Sequence, residues 1–339
     1  MGFRDREKQR QLHLARELFS AEALTVHGTY SGRPYPFCLA DAYSGENLWT
    51  GFRADALSYF DQRAIDWHGG FKRRGLDGEE RRFPSGHLCD SQSFCVNVWW
   101  PFTAAPQQLA AVLSGLGYPV AEVLPVVLDP SEPYVAFEWI GRRNYLGEGP
   151  GGRPIPDERR TRGKNATSAD AAVRCRRQDG RIQILLIEWK YTEFYAAKNI
   201  RFSGSGTDRS ATYVPHLRRA DSPFASSPVG DEDLFFDPFD QLMRLQLLAA
   251  AMEREREMDA DIVGVLHLAP RTNRELIEGI TSPQLVPLGA NIHDVWRRIV
   301  GETRFAARYV DADVLPLVVR EAPDPAWAVW LQRRYGDME

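Results

Sequence analysis

Three ionisable residues lie at the ends of two apolar segments that are adjacent in the sequence. Asp170 lies near the start of the segment ADAAVRCRR, and Glu188 and Lys190 lie at the end of the segment RIQILLIEWK. Charged side chains are rarely placed at the end of a buried strand unless they have a partner or a function. Because side chains two residues apart on a strand point to the same face, Glu188 and Lys190 are predicted to share one side of a sheet.

The turn between the two segments decides where Asp170 lies. Gln178-Asp179-Gly180 fits a three-residue hairpin loop whose third residue adopts the left-handed conformation. That loop places Asp170 directly opposite Glu188. A two-residue Asp-Gly turn would instead place Asp170 opposite Trp189, and its side chain would then lie on the other face. We prefer the three-residue loop because it gives all three charges a common location.

This arrangement suits the hydrolysis of a phosphodiester bond. Two carboxylates whose Cβ atoms are ~5 Å apart repel each other unless a cation lies between them. Oxygen ligands without a nearby His or Cys favour Mg²⁺ or Mn²⁺, and the main-chain carbonyl of Trp189 could add a ligand. Such an ion polarises a phosphoryl oxygen and activates a bound water. Lys190 would then stabilise the charge that develops in the transition state.

The surrounding segments predict an α/β fold with a mixed sheet. From residue 106 onward the predicted order is helix, three strands, long helix and strand. The segments that contain Asp170 and Glu188 are predicted to be an antiparallel hairpin. The helix of 237–257 is predicted to connect the strand of 182–191 to a parallel strand at 262–269.

The N-terminal part of the chain has a different predicted secondary structure. Residues 1–105 are predicted to be a mostly helical region that packs on a core of residues 106–339. The segments 27–37 and 69–86 are rich in Gly, Pro and charged residues, and we expect them to be loops. The first of them lies between two predicted helices, at 4–24 and 46–66.

Composition excludes several classes of protein. The chain has 339 residues, 43% of them hydrophobic and 26% charged, with a formal net charge of -4. These values are typical of a globular protein, and any affinity for nucleic acid must come from local basic patches. The four cysteines have neither zinc-site spacing nor a disulfide pattern. The N-terminus does not resemble a signal peptide and no segment is long enough to cross a membrane, so we expect a cytoplasmic protein.

The charged residues resemble the motif of the PD-(D/E)xK, or restriction-endonuclease-like, nuclease superfamily. Asp170 matches the first acid, Glu188 the second acid and Lys190 the lysine, and Ala169 stands where the motif has proline. A bacterial branch of restriction endonucleases is similar in the segments RGKNATSADAAV, LLIEWKYTE, DPFDQLMRLQLLA, IDWHGG and HLCDSQSFCVNVWWPF. The resemblance therefore covers most of the chain.

The resemblance implies an α-β-β-β-α-β core and a Mg²⁺-dependent nuclease that acts on DNA, with double-stranded DNA and a defence role as the expectation. Many superfamily members add a glutamate to the site, for which Glu138 is the candidate and Glu148 the alternative. Gln241, on the helix after the lysine strand, is expected to contact the site. Restriction enzymes often form homodimers, so a homodimer is a further expectation.

A basic segment precedes Asp170. Arg159, Arg160, Arg162 and Lys164 belong to the sequence RRTRGK, and we expect them to contact DNA phosphates, although such clusters are often only solvated loops. Two other functions remain open at this point. The chain could be a catalytically inactive nucleic-acid-binding module on the same fold, or a hydrolase of small phosphorylated substrates.

Overall fold

The computed structural model describes residues 1–30, 32–75, 78–126, 133–162 and 165–338. These residues form the strands β1 (His27–Tyr30), β2 (Arg33–Leu39), β3 (Phe71–Arg74), β4 (Glu80–Phe83), β5 (Val120–Leu124), β6 (Val135–Trp139), β7 (Ala169–Arg177), β8 (Ile182–Trp189), β9 (Ile262–Ala269) and β10 (Phe305–Tyr309). The helices are α1 (Phe3–Leu18), α2 (Arg53–Gln62), α3 (Ser91–Trp99), α4 (Pro106–Gly115), α5 (Ser210–Leu217), α6 (Phe239–Arg254), α7 (Arg274–Ile277), α8 (Ile292–Val300), α9 (Leu315–Arg320) and α10 (Pro325–Tyr335).

A six-stranded mixed sheet forms the centre of the protein. Its strand order is β10-β9-β8-β7-β5, and β6 also pairs with β7. β8, β9 and β10 are mutually parallel, whereas β5, β6 and β8 each run antiparallel to β7. The α/β prediction with a mixed sheet is therefore confirmed. The parallel pairing of β8 with β9 across the long helix α6 is confirmed as well.

The hairpin between β7 and β8 has the three-residue loop. Ala171 pairs with Ile187 and Arg176 pairs with Ile182, which is the register that places Asp170 opposite Glu188. Gly180 has a φ of 83°, in the left-handed region that glycine adopts without steric cost. The loop is closed by the main-chain N–H of Arg177, which donates to the carbonyl of Arg181 (2.8 Å). The alternative two-residue turn is excluded.

Helices cover both faces of the sheet. One face packs against α3, α4, α9 and α10, whose buried side chains include Phe94, Leu109, Val318 and Trp327. The other face packs against α6 and α8 through side chains such as Leu242 and Trp296. β8 is buried along its whole length, as its continuous apolar sequence predicts for a strand covered on both sides. The charged end of this strand is therefore held in a fixed position.

The structure corrects several expectations for individual elements. The segments 27–37 and 69–86, predicted as loops, contain the antiparallel hairpins β1–β2 and β3–β4, so the N-terminal region is not only helical. The side chains of β1, β3 and β4 are mostly exposed or half-buried and few are apolar, and β2 contains two prolines, which is why these segments look like loops in the sequence. The predicted helix of 46–66 is shorter, and the strands β5 and β10 and the helix α5 were not predicted.

Candidate active site

The charged end of β7 and β8 opens into a cleft of about 430 Å³. We call it the candidate active-site cleft, and its lining includes His68, Gln92, Glu138, Asn165, Ser168, Asp170, Glu188, Trp189, Lys190, Tyr195, Gln241 and Arg244. The N-terminal region, three strands of the sheet and the helix α6 all contribute to it. The cleft therefore depends on contacts between parts of the chain that are distant in sequence.

Asp170, Glu188 and Lys190 meet in this cleft. The Asp170 carboxylate accepts a hydrogen bond from the main-chain N–H of Trp189 through Oδ2 (2.6 Å). The Lys190 ammonium pairs with Glu188 Oε1 (2.7 Å) and donates to the Gln241 side-chain oxygen (2.6 Å). Lys190 is only 6% exposed, so these two partners take the place of solvent around its ammonium group. The structure thus brings together the three residues that the sequence pattern singled out.

Gln241 has a fixed orientation. Its side-chain amide nitrogen donates to Asp237 Oδ1 (3.0 Å) and to the Tyr195 hydroxyl (3.3 Å). These two bonds direct the side-chain oxygen of Gln241 towards Lys190. Gln241 therefore contacts the lysine, and its predicted place next to the site agrees with the structure, although its part in catalysis stays a prediction.

Glu138 also lies in the candidate active-site cleft. Its neighbours Phe137 and Trp139 pair with Ala171 and Ala169 of β7, so Glu138 of β6 lies opposite Asp170. β6 and β8 pair with the two different edges of β7. Glu138 has a φ of 49°, which is a strained backbone conformation for a residue with a long side chain.

Two side chains hold the carboxylate of Glu138. The Gln92 side-chain amide donates to Oε1 (2.5 Å), and the Ser168 hydroxyl donates to Oε2 (2.6 Å). Strained backbone of this kind persists where the surrounding structure fixes it, and functional sites are a common place for it.

The electrostatics of the cleft favour a bound cation. Burial, together with the nearby carboxylates of Glu188 and Glu138, raises the pKa of Asp170 well above its ordinary value. Burial also raises the pKa of Glu138, although the hydrogen bonds from Ser168 and Gln92 act in the opposite direction. Burial alone would lower the pKa of Lys190, but the Glu188 carboxylate and the other groups around it hold that pKa well above its ordinary value. The lysine is therefore an ammonium ion at neutral pH.

The donor set of the cleft consists of oxygen atoms, which suits a hard divalent cation. No group of three or more His, Cys, Asp or Glu side chains in the described part of the chain is arranged to hold a metal ion. Mg²⁺ usually keeps several waters and binds through one or two carboxylates, so the opposed pair Asp170 and Glu188 is enough for such a site. The assignment of these two residues, the Trp189 carbonyl and Glu138 as metal ligands stays a prediction.

The comparison with protein families covers nearly the whole chain. Residues 10–336 match the model of a family described as restriction endonuclease associating with ARP. The chain belongs to this family. Neither the curated proteins nor the solved structures contain a significant match. The predicted resemblance to restriction endonucleases is thereby confirmed, and the family description indicates a nuclease role in defence.

Glu148, the alternative acid, lies outside the candidate active-site cleft of this family member. It lines a neighbouring cleft of about 360 Å³, whose lining also includes Gly152, Ser203, Thr207, Arg209 and Arg244. The Glu148 carboxylate accepts hydrogen bonds from the main-chain N–H (2.7 Å) and the hydroxyl (2.5 Å) of Thr167 and from the hydroxyl of Tyr213 (2.7 Å). Geometry therefore favours Glu138 over Glu148 as the additional acid.

The predicted phosphate-binding residues have different environments. Arg159 is exposed. The side chain of Arg160 is 5% exposed, and its guanidinium donates to the carbonyls of Ile140 and Gly141 (2.9 Å each), so it supports the main chain instead of facing solvent.

The other two residues of this basic segment differ as well. Arg162 donates to the Tyr59 hydroxyl (3.1 Å) and stacks on the Trp139 ring. Lys164 lies outside the described residues.

Sequence reasoning missed the contribution of the N-terminal region. Gln92 donates to Glu138 and accepts a hydrogen bond from the main-chain N–H of His68 (2.7 Å), so it connects the segment IDWHGG to the acids of the cleft. The only sequence signal was that the segments containing His68 and Gln92 also resembled restriction endonucleases. In this family member the N-terminal region therefore helps to build the candidate active site. No helix of the described residues has the length and apolar character needed to cross a membrane.

Proposed function

We propose that the chain is a Mg²⁺-dependent endodeoxyribonuclease that hydrolyses phosphodiester bonds in double-stranded DNA as part of a defence system. The observation that supports this proposal is the meeting of Asp170, Glu188 and Lys190 at the end of β7 and β8. Membership of a restriction endonuclease family supports DNA as the substrate.

Asp170 and Glu188 would hold the cation, with the Trp189 carbonyl as a further oxygen ligand. Glu138 would lie beside these ligands, because no three acids of the described residues are arranged around one metal ion. A bound Mg²⁺, or Mn²⁺ in its place, polarises a phosphoryl oxygen and lowers the pKa of a coordinated water. The raised pKa of Asp170 and Glu138 supports this assignment, because buried carboxylates that repel one another are stabilised by a cation between them.

Lys190 would stabilise the negative charge on the scissile phosphate. Its ammonium group is held by Glu188 and Gln241, so it is already oriented before DNA binds. Because its pKa is raised, Lys190 acts as a fixed positive charge and not as a general base. Gln241 is a positioning residue, since it contacts the lysine and is itself held by Asp237 and Tyr195.

DNA would approach the cleft across the segment that precedes Asn165, one of its lining residues. Arg159 and Arg162 lie in this segment, and we propose them as contacts to the DNA backbone. Arg160 is not included because its guanidinium is used by main-chain carbonyls. Two copies of the chain would be needed to cut both strands at once, and a homodimer in solution is part of the proposal.

The test is cleavage of supercoiled plasmid and linear duplex DNA in Mg²⁺. Lys190→Ala and Asp170→Asn should each lower the cleavage rate by about 10²–10³-fold, because each removes a group that acts directly on the reacting phosphate or its cation. Lys198→Ala is the matched control, since Lys198 is an exposed lysine eight residues away along the chain. Circular dichroism and the melting temperature should show that all variants are folded.

Equal cleavage by the wild type and both site variants would contradict the proposal. Salt-dependent DNA binding without any cleavage would support the inactive nucleic-acid-binding module instead. Turnover of small phosphoesters but not of DNA would support a different hydrolase.

A further inference from the structure

The neighbouring cleft has no role in the proposed chemistry. It adjoins the candidate active-site cleft, because Asn165, Ala166 and Arg244 line both. Its lining includes two arginines, several hydroxyl groups and three glycines. A polar cleft next to a nuclease site is a place where a further part of the DNA could bind.

Two guanidinium groups form one wall of this cleft. Arg209 and Arg244 both donate to the same oxygen of Asp240, at 2.7 Å and 2.9 Å. Asp240 is fully buried behind them, so it fixes both arginines and is itself shielded from the cleft. Arg209 also donates to the carbonyl of Ile200 (3.3 Å), and Arg244 donates to the Thr167 hydroxyl (3.3 Å). Since a guanidinium carries five N–H groups, each arginine keeps donors for a ligand.

Hydroxyl groups form another part of the lining of this cleft. The segment from Ser203 to Thr207 is a tight loop, closed by the main-chain N–H of Ser203, which donates to the Thr207 carbonyl (2.9 Å). The hydroxyls of Ser203 and Ser205 lie 2.9 Å apart. Gly152 packs closely against this loop, since a Cβ at Gly152 would lie 3.1 Å from Thr207 Cγ2. The loop that supplies Ser203, Ser205 and Thr207 to the lining is therefore held in place.

The Glu148 carboxylate in this cleft is already hydrogen-bonded, although its negative charge offsets part of the positive charge of Arg244. Three donors from Thr167 and Tyr213 already satisfy the Glu148 carboxylate. The groups with spare hydrogen-bonding capacity are thus the guanidinium N–H groups and the hydroxyls. Guanidinium groups are charge-assisted donors that bind phosphate oxygens, and neutral hydroxyls can add further hydrogen bonds.

We propose that the neighbouring cleft binds a phosphate group of the DNA strand that continues from the scissile position. This inference rests on the proposed function for its substrate. Arg244 lines both clefts, so a strand that leaves the candidate active site next passes the donors of Arg209 and the Ser203–Thr207 loop. The recognised group is a phosphodiester, and a free phosphate ion is the other source of the same chemistry.

The test is equilibrium binding of a fluorescein-labelled DNA duplex to the full chain in EDTA, followed by anisotropy over a range of salt concentrations. Arg209→Ala should weaken binding by about tenfold and should lower the slope of log Kd against log salt by about one. Ser205→Glu should weaken binding to a similar extent, because it places a negative charge on an exposed position of the loop. This second variant removes no buried contact, so it still tests the proposal if Arg209→Ala is poorly folded.

Arg218→Ala is the matched control. Arg209 directly precedes the helix α5, and Arg218 directly follows it. The side chain of Arg218 is 74% exposed and pairs with Asp231 (2.8 Å) away from the cleft. Its replacement should leave both the affinity and the salt slope unchanged. The melting temperature of each variant should be measured in the same buffer.

The possible outcomes separate this inference from the proposed function. If Arg209→Ala and Ser205→Glu bind DNA as tightly as wild type does, the inference is wrong. If inorganic phosphate raises the melting temperature of wild type but not of Arg209→Ala, while DNA affinity is unchanged, the cleft holds a free anion and the DNA assignment is wrong. If both variants lose DNA affinity but wild type never cleaves DNA in Mg²⁺, the phosphate site stands and only the nuclease proposal fails.

Discussion

The two adjoining clefts share part of their lining but differ in how their charges are satisfied. The candidate active-site cleft is lined by three acids, Glu138, Asp170 and Glu188, and one lysine, and burial raises the pKa of Asp170 and Glu138. In the neighbouring cleft, Glu148 is saturated by neutral donors and the two arginines have donors to spare. The first environment is stabilised by a cation, whereas the second offers guanidinium donors to an anion. A DNA strand with its metal ion supplies both.

The largest effect that this comparison predicts is the effect of metal removal. Chelation with EDTA should abolish cleavage, because the acids of the candidate active-site cleft need the cation, and added Mg²⁺ should restore it. Salt-dependent DNA binding should persist in EDTA, although weaker, because the arginines of the neighbouring cleft need no metal. Parallel cleavage and anisotropy measurements on one preparation test this. Cleavage that continues in EDTA would show that the acids act without a cation.

The next prediction compares the two glutamates that the sequence nominated. Glu138→Gln should lower kcat by roughly 10–100-fold, because the removed charge lies beside the proposed metal ligands. Glu148→Gln should instead lower the free energy of unfolding by roughly 1–3 kcal/mol, since a neutral amide cannot accept all the hydrogen bonds from Thr167 and Tyr213 as the carboxylate does. Steady-state kinetics and urea unfolding of both variants separate the two effects. A larger loss of kcat in Glu148→Gln would reverse the assignment.

The sequence predicted the parts of this site that depend on residues close together in the chain, and it missed the parts that depend on distant residues. The β7–β8 hairpin was predictable, because its turn residues are adjacent in the sequence. Its register was not fixed by the turn alone, since Gly180 fits two loop lengths, and the choice depended on the common location of the three charges. The position of Glu138 was supported only by resemblance. Its role depends on a left-handed φ in β6 and on Gln92, which is distant in the sequence. No periodicity within β6 could reveal either feature.

The basic segment shows a different limit of sequence reasoning. Charge alone made Arg159, Arg160, Arg162 and Lys164 equivalent candidates for phosphate binding. The structure shows that Arg160 donates to two main-chain carbonyls, which a count of charges cannot detect. Conversely, Arg209 and Arg244 were not linked to DNA binding from the sequence, because they become neighbours only through Asp240.

A pair of buried histidines lies behind the candidate active-site cleft and should make its stability sensitive to acid. His267, next to Glu188 in the sheet, contacts His293 of α8, with 3.1 Å between the ring nitrogens. Burial, together with Arg297, lowers the pKa of His293 to about 4. The unfolded chain therefore binds a proton more readily than the folded chain does. The neutral form of buried His293 therefore stabilises the fold fully above the ordinary histidine pKa, and this stabilisation is lost as the pH falls from about 6.5 towards 4.

The lowered pKa of His293 sets the size of the expected loss of stability in acid. His293 alone should contribute a loss of roughly 2 kcal/mol in the free energy of unfolding between pH 7 and pH 5. His293→Gln should reduce this pH dependence, although the variant itself is less stable at pH 7. His13→Gln, at an exposed position of α1, should retain the wild-type pH dependence. Urea unfolding at a series of pH values gives the slopes, and an unchanged slope in His293→Gln would refute the explanation.

The smallest predicted effect compares two glycines in left-handed conformations. Gly152 has a φ of 73° and Gly180 has a φ of 83°, so an alanine at either position should lower the free energy of unfolding by about 1 kcal/mol. Around Gly180 a new Cβ would meet open space, whereas at Gly152 it would lie 3.1 Å from Thr207 Cγ2. Gly152→Ala should therefore shift the Ser203–Thr207 loop and weaken DNA binding, by less than Arg209→Ala does. Gly180→Ala should leave DNA affinity unchanged, because its turn lies at the opposite end of β7 and β8 from both clefts. Equal DNA affinities in the two alanine variants would mean that the position of this loop does not limit binding.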